Sequence, residues 1–233
     1  MALVTDGAPL STTAYSAVIN ASYVKRGLVV KVLYNADGVA TWPNLIVGAP
    51  TRFDIITMPF YFFGADPETT MHKEKKLTPE VAGTMPSEDV QKEYMAKLPV
   101  ASFHTKLHPA KYFKSQHMII SPRQGGPAYR LLHKEDAKDG FAPLSSAMNL
   151  IGTLRNVDGA SPFANQYYGS MVMHNKEGQY TGPGGGLGGG HIGTGDYSFG
   201  GIFYHEQGHA FGLPHAADAA AKRRGGHVYS HHI

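Results

Sequence analysis

Cysteine is absent from this 233-residue chain. Disulfide staples and thiolate metal sites are therefore excluded, and any metal must be held by histidine or a carboxylate. The absence says little about compartment. No apolar run approaches the length of a membrane span. The opening MALVTDGAPL lacks the basic-then-apolar order of a signal peptide. Charge is thin: charged residues make up 17% and the net charge is +3, with no long basic run, so neither nucleic acid nor a membrane surface is implied as a partner. What is present fits a folded globular chain, since 42% of the residues are hydrophobic and the length allows one large domain or two small ones.

Along the chain, residues 14 to 63 read as strands. YSAVI and LVVKVLY are β-rich runs, NADG is a turn before VATW, and FDIITMPFYFF is a further run closed by GADP. A small antiparallel, sandwich-like β region is expected there. The next stretch, to about 85, is polar and broken by Pro67, Pro79 and Pro86, and reads as a connection. SEDVQKEYMAKLP reads as a helix: Ser87 is placed to cap it, Glu88 and Asp89 suit its first turn, and Val90, Tyr94 and Leu98 share a face. HMIIS and YYGSMVM read as strands, with SSAMNLIGTL as a helix between them. GPGGGLGGGHIGTG, 182 to 195, has almost no side chain able to pack and reads as a loop before a second helix, DYSFGGIFYHEQGHAFG, capped by Asp196 or Ser198. Trp42 and the tyrosines of NQYYGS are expected to pack in the core or at an edge.

The chemistry sits in that last helix. His205 and His209 are four apart, which puts two imidazoles on one helical face a turn apart, able to grip one ion. Glu206 lies between them and would project beside the same ion. Gly212 suits the sharp end of a helix, because glycine tolerates positive φ. Pro214 holds Leu213 extended, so that His215 returns as a third ligand. Three neutral histidines with one open position are the donor set of a catalytic Zn2+ rather than a structural one. Zinc lowers the pKa of its water to about 7; Glu206 would act as general base and pass the proton to the leaving amine. The expected reaction is peptide-bond hydrolysis without a covalent intermediate.

The pattern H-E-x-x-H-x-x-G-x-x-H is that of the metzincin clan of zinc peptidases, and further stretches resemble one family within it, the secreted StcE/TagA-type peptidases that include mucin-cleaving enzymes. They are GGGLGGGHIGTGDYSFGGIFYHEQGHAFGLPHA, ASYVKRGLVVKV with VGAPTRFDIITMPF, and KEYMAKLPVASF. The resemblance implies His205, His209 and His215 as zinc ligands, Glu206 as catalytic base, and a secreted metalloprotease acting on protein or O-glycosylated glycoprotein substrates. The expected fold is α+β: a metzincin-like zinc protease core with a long active-site helix, preceded by a small antiparallel β region. The expected division is a β-rich region over 1–64 and a catalytic domain over 65–233. Metzincins carry a methionine turn after the third histidine, whereas residues 216–233 contain no methionine. The catalytic domain is thus expected to be truncated before that turn and to belong to a longer parent chain with other domains. An alternative is a zinc-binding, non-cleaving fragment or a glycoprotein-binding module of a larger adhesin or protease.

Two secondary features complete the reading. The glycine-rich stretch formally satisfies G-x-G-x-x-G, but no acidic residue follows in a βαβ setting, so nucleotide binding is not expected. Gly188, Gly189, Gly190 and His191 are the candidates for substrate contact, because bare backbone near a cleft lets a substrate strand or a glycan approach. His227, His231 and His232 are expected to bind metal only loosely.

Overall fold

A computed structural model describes residues 19–34, 38–43, 45–49, 51–83, 87–98, 100–160, 165–215 and 218. The expectations for Pro86, for the residues after His215 other than Asp218, and for the terminal histidines lie outside the described residues. The chain divides into two compact units, 1–51 and 52–233.

In the first unit, β1 (Val30–Tyr34) and β2 (Gly38–Trp42) form an antiparallel hairpin with Val30 opposite Trp42. Trp42 is half exposed at the end of β2, so of the two expected placements it takes the edge rather than the core. A short turn of helix precedes the hairpin, where the Asn20 side chain accepts from the Ser22 amide at 2.9 Å.

The second unit begins with β3 (Arg52–Thr57), β4 (Phe60–Phe62), β5 (Met71–His72), β6 (Lys75–Lys76), α1 (Pro79–Gly83), α2 (Glu88–Ala96), β7 (Ser102–Leu107) and β8 (Phe113–Ser115). It continues through β9 (Met118–Ile120), β10 (Tyr129–Leu131), α3 (Phe141–Val157), β11 (Gln166–His174), β12 (Tyr180–Thr181), β13 (Gly186–Gly189), β14 (Ile192–Asp196) and α4 (Gly200–Ala210). The main sheet runs β13-β14-β11-β3-β7, with β4 and β12 also paired to β11 and β8 to β4. β14, β3 and β4 are parallel to β11, and only the edge strand β13 and the short β12 run against their neighbours. The mixed α+β class and the helix carrying the histidines therefore stand. The boundary near residue 64 does not, because FDIIT and FYF pair in the main sheet rather than in the N-terminal hairpin. The expected connection after residue 64 also contains the hairpin β5–β6 and helix α1.

β11 explains the layering. Residues Gln166 to Met173 are all buried, as in a parallel strand covered on both faces. On one face Tyr167, Met171 and Met173 pack with Ala142, Leu144, Ala147 and Ile151 of α3. On the other, Tyr168 packs with Phe203 of α4, Tyr94 of α2, and Phe53 and Ile55 of β3. Val90 and Leu98 join Tyr94 there, and Ser87 caps α2 by accepting from the Val90 amide at 3.5 Å. Buried hydroxyls find backbone acceptors: Thr57 donates to the Gly83 carbonyl (2.7 Å), Ser170 to Ala82 (2.6 Å) and Thr194 to Gly169 (2.6 Å).

One element at the end of β11 predicts pH-sensitive stability. Thr70 Oγ1 accepts from the Asp66 amide (2.8 Å) and is hydrogen-bonded to His174 Nε2 at 3.0 Å. Burial holds the His174 pKa below its ordinary value. As pH falls past about 6.5 the unfolded chain takes the proton first. The stability His174 contributes is therefore full above that pH and is lost as pH falls toward the folded-state pKa. Melts of metal-free protein at pH 7.5 and 5.5 are expected to show a smaller acid-induced drop in Tm for His174→Gln than for the parent chain.

Candidate metal centre

α4 buries one side against the sheet. Phe203, Glu206, Gln207 and Ala210, at helical spacing, are buried against the sheet. His205, on the opposite side, is exposed, and His209 is half-buried. The helix start differs from expectation: its N-cap is Phe199, without a side-chain cap. Asp196 instead organises the preceding turn, its Oδ1 accepting from the Ser198 amide, the Ser198 hydroxyl and the Tyr180 hydroxyl, each at 2.8 Å.

The helix ends as the glycine implied. Gly212 has φ +80°, the Leu213 amide donates to the Gly208 carbonyl (3.1 Å), and the Gly212 amide donates to His209 (2.8 Å). That pair of bonds is a Schellman closure. It turns the chain so that His215, exposed beyond the helix, faces back to the two helical histidines. The three Nε2 atoms form a triangle with sides of 3.2 Å (His205–His209), 3.1 Å (His209–His215) and 3.2 Å (His205–His215). This triad is a donor set that can hold a metal ion.

Outer contacts fix which nitrogen carries a proton. His209 Nδ1 lies 2.7 Å from the Leu213 carbonyl, which can only accept, so Nδ1 is the protonated nitrogen. His215 Nδ1 lies 3.4 Å from the Asp218 carboxylate, an ion-pair contact between exposed groups. The Nε2 of His209, opposite its protonated Nδ1, then faces the other two Nε2 atoms at 3.2 and 3.1 Å, an arrangement that a cation between them would satisfy. Burial, and then the neighbouring imidazoles His209 and His215, push the His205 pKa down. Glu206 is only 6% exposed; burial pushes its pKa up, while His209 and His215 draw it back.

The glycine-rich stretch is not a loop. It forms β13 and β14, with Gly186 opposite Gly195 and Gly189 opposite Ile192. Of the substrate-contact candidates, Gly188 lies under α4, where an added Cβ would be 2.1 Å from the Glu206 carbonyl oxygen. At Gly189 and Gly190, by contrast, a Cβ would meet nothing within 4 Å. His191 sits at the hairpin tip with φ +70°. Its amide donates to Ala210 (3.1 Å), and its carbonyl accepts from Tyr167 (3.0 Å).

A buried amide pair went unread in the sequence. Gln207 Nε2 donates to Gln166 Oε1 at 3.0 Å, and Gln166 Nε2 donates to the Gln207 carbonyl at 3.4 Å; both residues have no solvent exposure. The pair ties α4 to β11 on the buried side of the helix, away from His205. Gln166→Leu would strand the Gln207 amide, at a cost of about 1–3 kcal/mol, and the double Gln166→Leu/Gln207→Leu variant is expected to cost less than the single one. Denaturant unfolding of the three chains tests this.

A family model described as Peptidase M66 matches residues 5–232. Dictomallein from Burkholderia pseudomallei is 34% identical over 225 residues, covering 93% of this chain and 31% of that protein. Dictomallein-3 from Dictyostelium discoideum is 33% identical over 226 residues, covering 93% of this chain and 36% of that protein. The chain thus spans about a third of the length of these curated relatives. No solved structure matches. No helix among the described residues is long and apolar enough to cross a membrane. By the family match over nearly its whole length, the chain belongs to the peptidase M66 family, a family of metallopeptidases that act on protein substrates.

Proposed function

We propose that this chain is the zinc-binding region of a secreted endopeptidase of the StcE/TagA type with a metzincin-like core, in which His205, His209 and His215 hold Zn2+ and Glu206 is the general base. The observation that carries the reading is the Nε2 triangle of 3.1–3.2 Å, with the ring of His209 oriented by its Nδ1 contact to the Leu213 carbonyl. Three nitrogens bound tetrahedrally at about 2.0–2.1 Å stand about 3.3 Å apart, so the donor set fits zinc in both chemistry and size.

Bound zinc supplies a Lewis acid that acidifies water and polarises the scissile carbonyl. Glu206 takes the proton of the attacking water on its carboxylate and gives it to the leaving amide nitrogen. Its burial favours this role, since a carboxylate shielded from solvent is a stronger base than an exposed one. The edge strand β13, with Gly188, Gly189, Gly190 and His191 as candidate contacts, offers backbone to an extended substrate. The preference for O-glycosylated, mucin-like proteins and the extracellular location rest on the resemblance of the sequence blocks. Residues 52–233 act as the catalytic unit, and a longer parent chain with other domains is supported by the 31% and 36% coverage of the relatives.

The test is cleavage of an O-glycosylated protein, before and after enzymatic removal of its glycans, by zinc-loaded and chelator-treated chain. Zinc-dependent cleavage that weakens on deglycosylation supports the whole reading. Equal cleavage of both substrates removes the mucin preference, and one bound zinc without cleavage favours the non-cleaving binding module.

A further inference from the structure

Two residues before Gly188, the edge strand meets the side chain of Glu206 rather than its backbone. A Cβ built on Gly186 would lie 2.5 Å from Ile202 Cγ2, 2.6 Å from Glu206 Cγ and 2.8 Å from Glu206 Oε1. All three separations are far inside the ordinary contact distance of about 3.5–4.0 Å between carbon atoms. Glu206 thus fills the volume that any other residue at position 186 would occupy. Its backbone has no slack to retreat, because Gly188 already touches the Glu206 carbonyl region. The neighbour Gly185 is different, since a Cβ there would meet nothing within 4 Å.

We propose that Gly186 is a positioning residue for the Glu206 carboxylate: its bare Cα leaves the slot that holds the carboxyl group beside the histidine triad. The inference rests on the reading of Glu206 as the base. Its physical content is narrow. A methyl at 186 collides near the root of the Glu206 side chain, so Cγ must shift and take the carboxylate with it. None of the three atoms such a methyl meets most closely belongs to His205, His209 or His215, so the triad keeps its geometry. A misplacement of about 1 Å in a reacting group can lower a rate about 100-fold.

The experiment compares the parent chain, Gly186→Ala, Gly185→Ala and Gly186→Ala/Ile202→Ala, all loaded with zinc. The readouts are crystal structures, zinc affinity by chelator competition, Tm, and kcat and KM for a protein substrate. Gly186→Ala is expected to show a displaced Glu206 carboxylate with the histidines superposed on those of the parent. Its zinc affinity and KM should hold within about threefold while kcat falls about 100-fold. Gly185→Ala should match the parent throughout. Adding Ile202→Ala relieves the aliphatic clash, so Tm should recover while the carboxylate stays displaced and kcat stays low. An undisplaced carboxylate in Gly186→Ala overturns the inference, as does recovery of kcat together with Tm in the double variant. Glu206→Gln is run alongside. If it cleaves at the parental rate, the base assignment fails and the positioning inference falls with it. If it is inactive while Gly186→Ala is fully active, only the positioning inference falls.

Discussion

Glu206→Gln is expected to lower kcat by about 10²–10⁴-fold while leaving bound metal and Tm unchanged. Glutamine has nearly the same shape, so the packing of residue 206 beneath β13 is kept. The substitution removes only the ability to take a proton. Because Glu206 is 6% exposed, no bulk-solvent carboxylate or buffer anion readily takes its place. Single-turnover cleavage with parallel metal analysis checks the expectation. A variant that cleaves at the parental rate with its metal intact would mean that another group is the base.

Phe203→Ala carries the largest expected effect on folding. Phe203 has no solvent exposure, and its ring centroid lies 5.3 Å from Tyr94 and 5.1 Å from Tyr168, both edge-on. It is the main apolar side chain joining α4 to the sheet and to α2. Truncation leaves a cavity that aromatic neighbours on three elements cannot fill, at a cost of about 3–5 kcal/mol. For a unit of this size that corresponds to a fall in Tm of roughly 10 °C. The histidine triad lies on the opposite face of α4, so zinc should still raise the Tm of the variant through preferential binding to the folded state. Thermal melts with and without zinc check both parts. A fall of only a few degrees would mean that α4 is held mainly by the Gln166–Gln207 pair and the glycine strands.

The candidate site was legible where its signal is local. The four-residue spacing of His205 and His209, and a glycine placed to end the helix, are both properties of one short segment, and α4 and its Schellman closure follow them. α2 was equally readable, since its cap, its acidic first turn and its Val90–Tyr94–Leu98 face all lie within a dozen residues. The strands β13 and β14 were not legible, for a physical reason. Strand patterns are carried by alternating side chains, and here the alternate residues Gly186, Gly188, Gly193 and Gly195 are bare because α4 packs directly on the backbone. The Gln166–Gln207 pair spans 41 positions in sequence, so nothing near either residue announces it. The misplaced boundary near residue 64 has a similar origin, since β-rich runs do not say whether their partners are adjacent or a hundred residues away. β3 and β4 pair with β11, and that choice is tertiary.

The proposed zinc site is built from three histidines of one helix and its following turn. The most direct measurement is the metal content of protein purified without added zinc, for the parent chain, for His205→Ala and for a chain lacking the last seven residues, which include His227, His231 and His232. One zinc per chain is expected in the parent and in the shortened chain, and none in His205→Ala. Metal that survives His205→Ala but disappears with the terminal residues would contradict a site at the triad and place the binding in the tail.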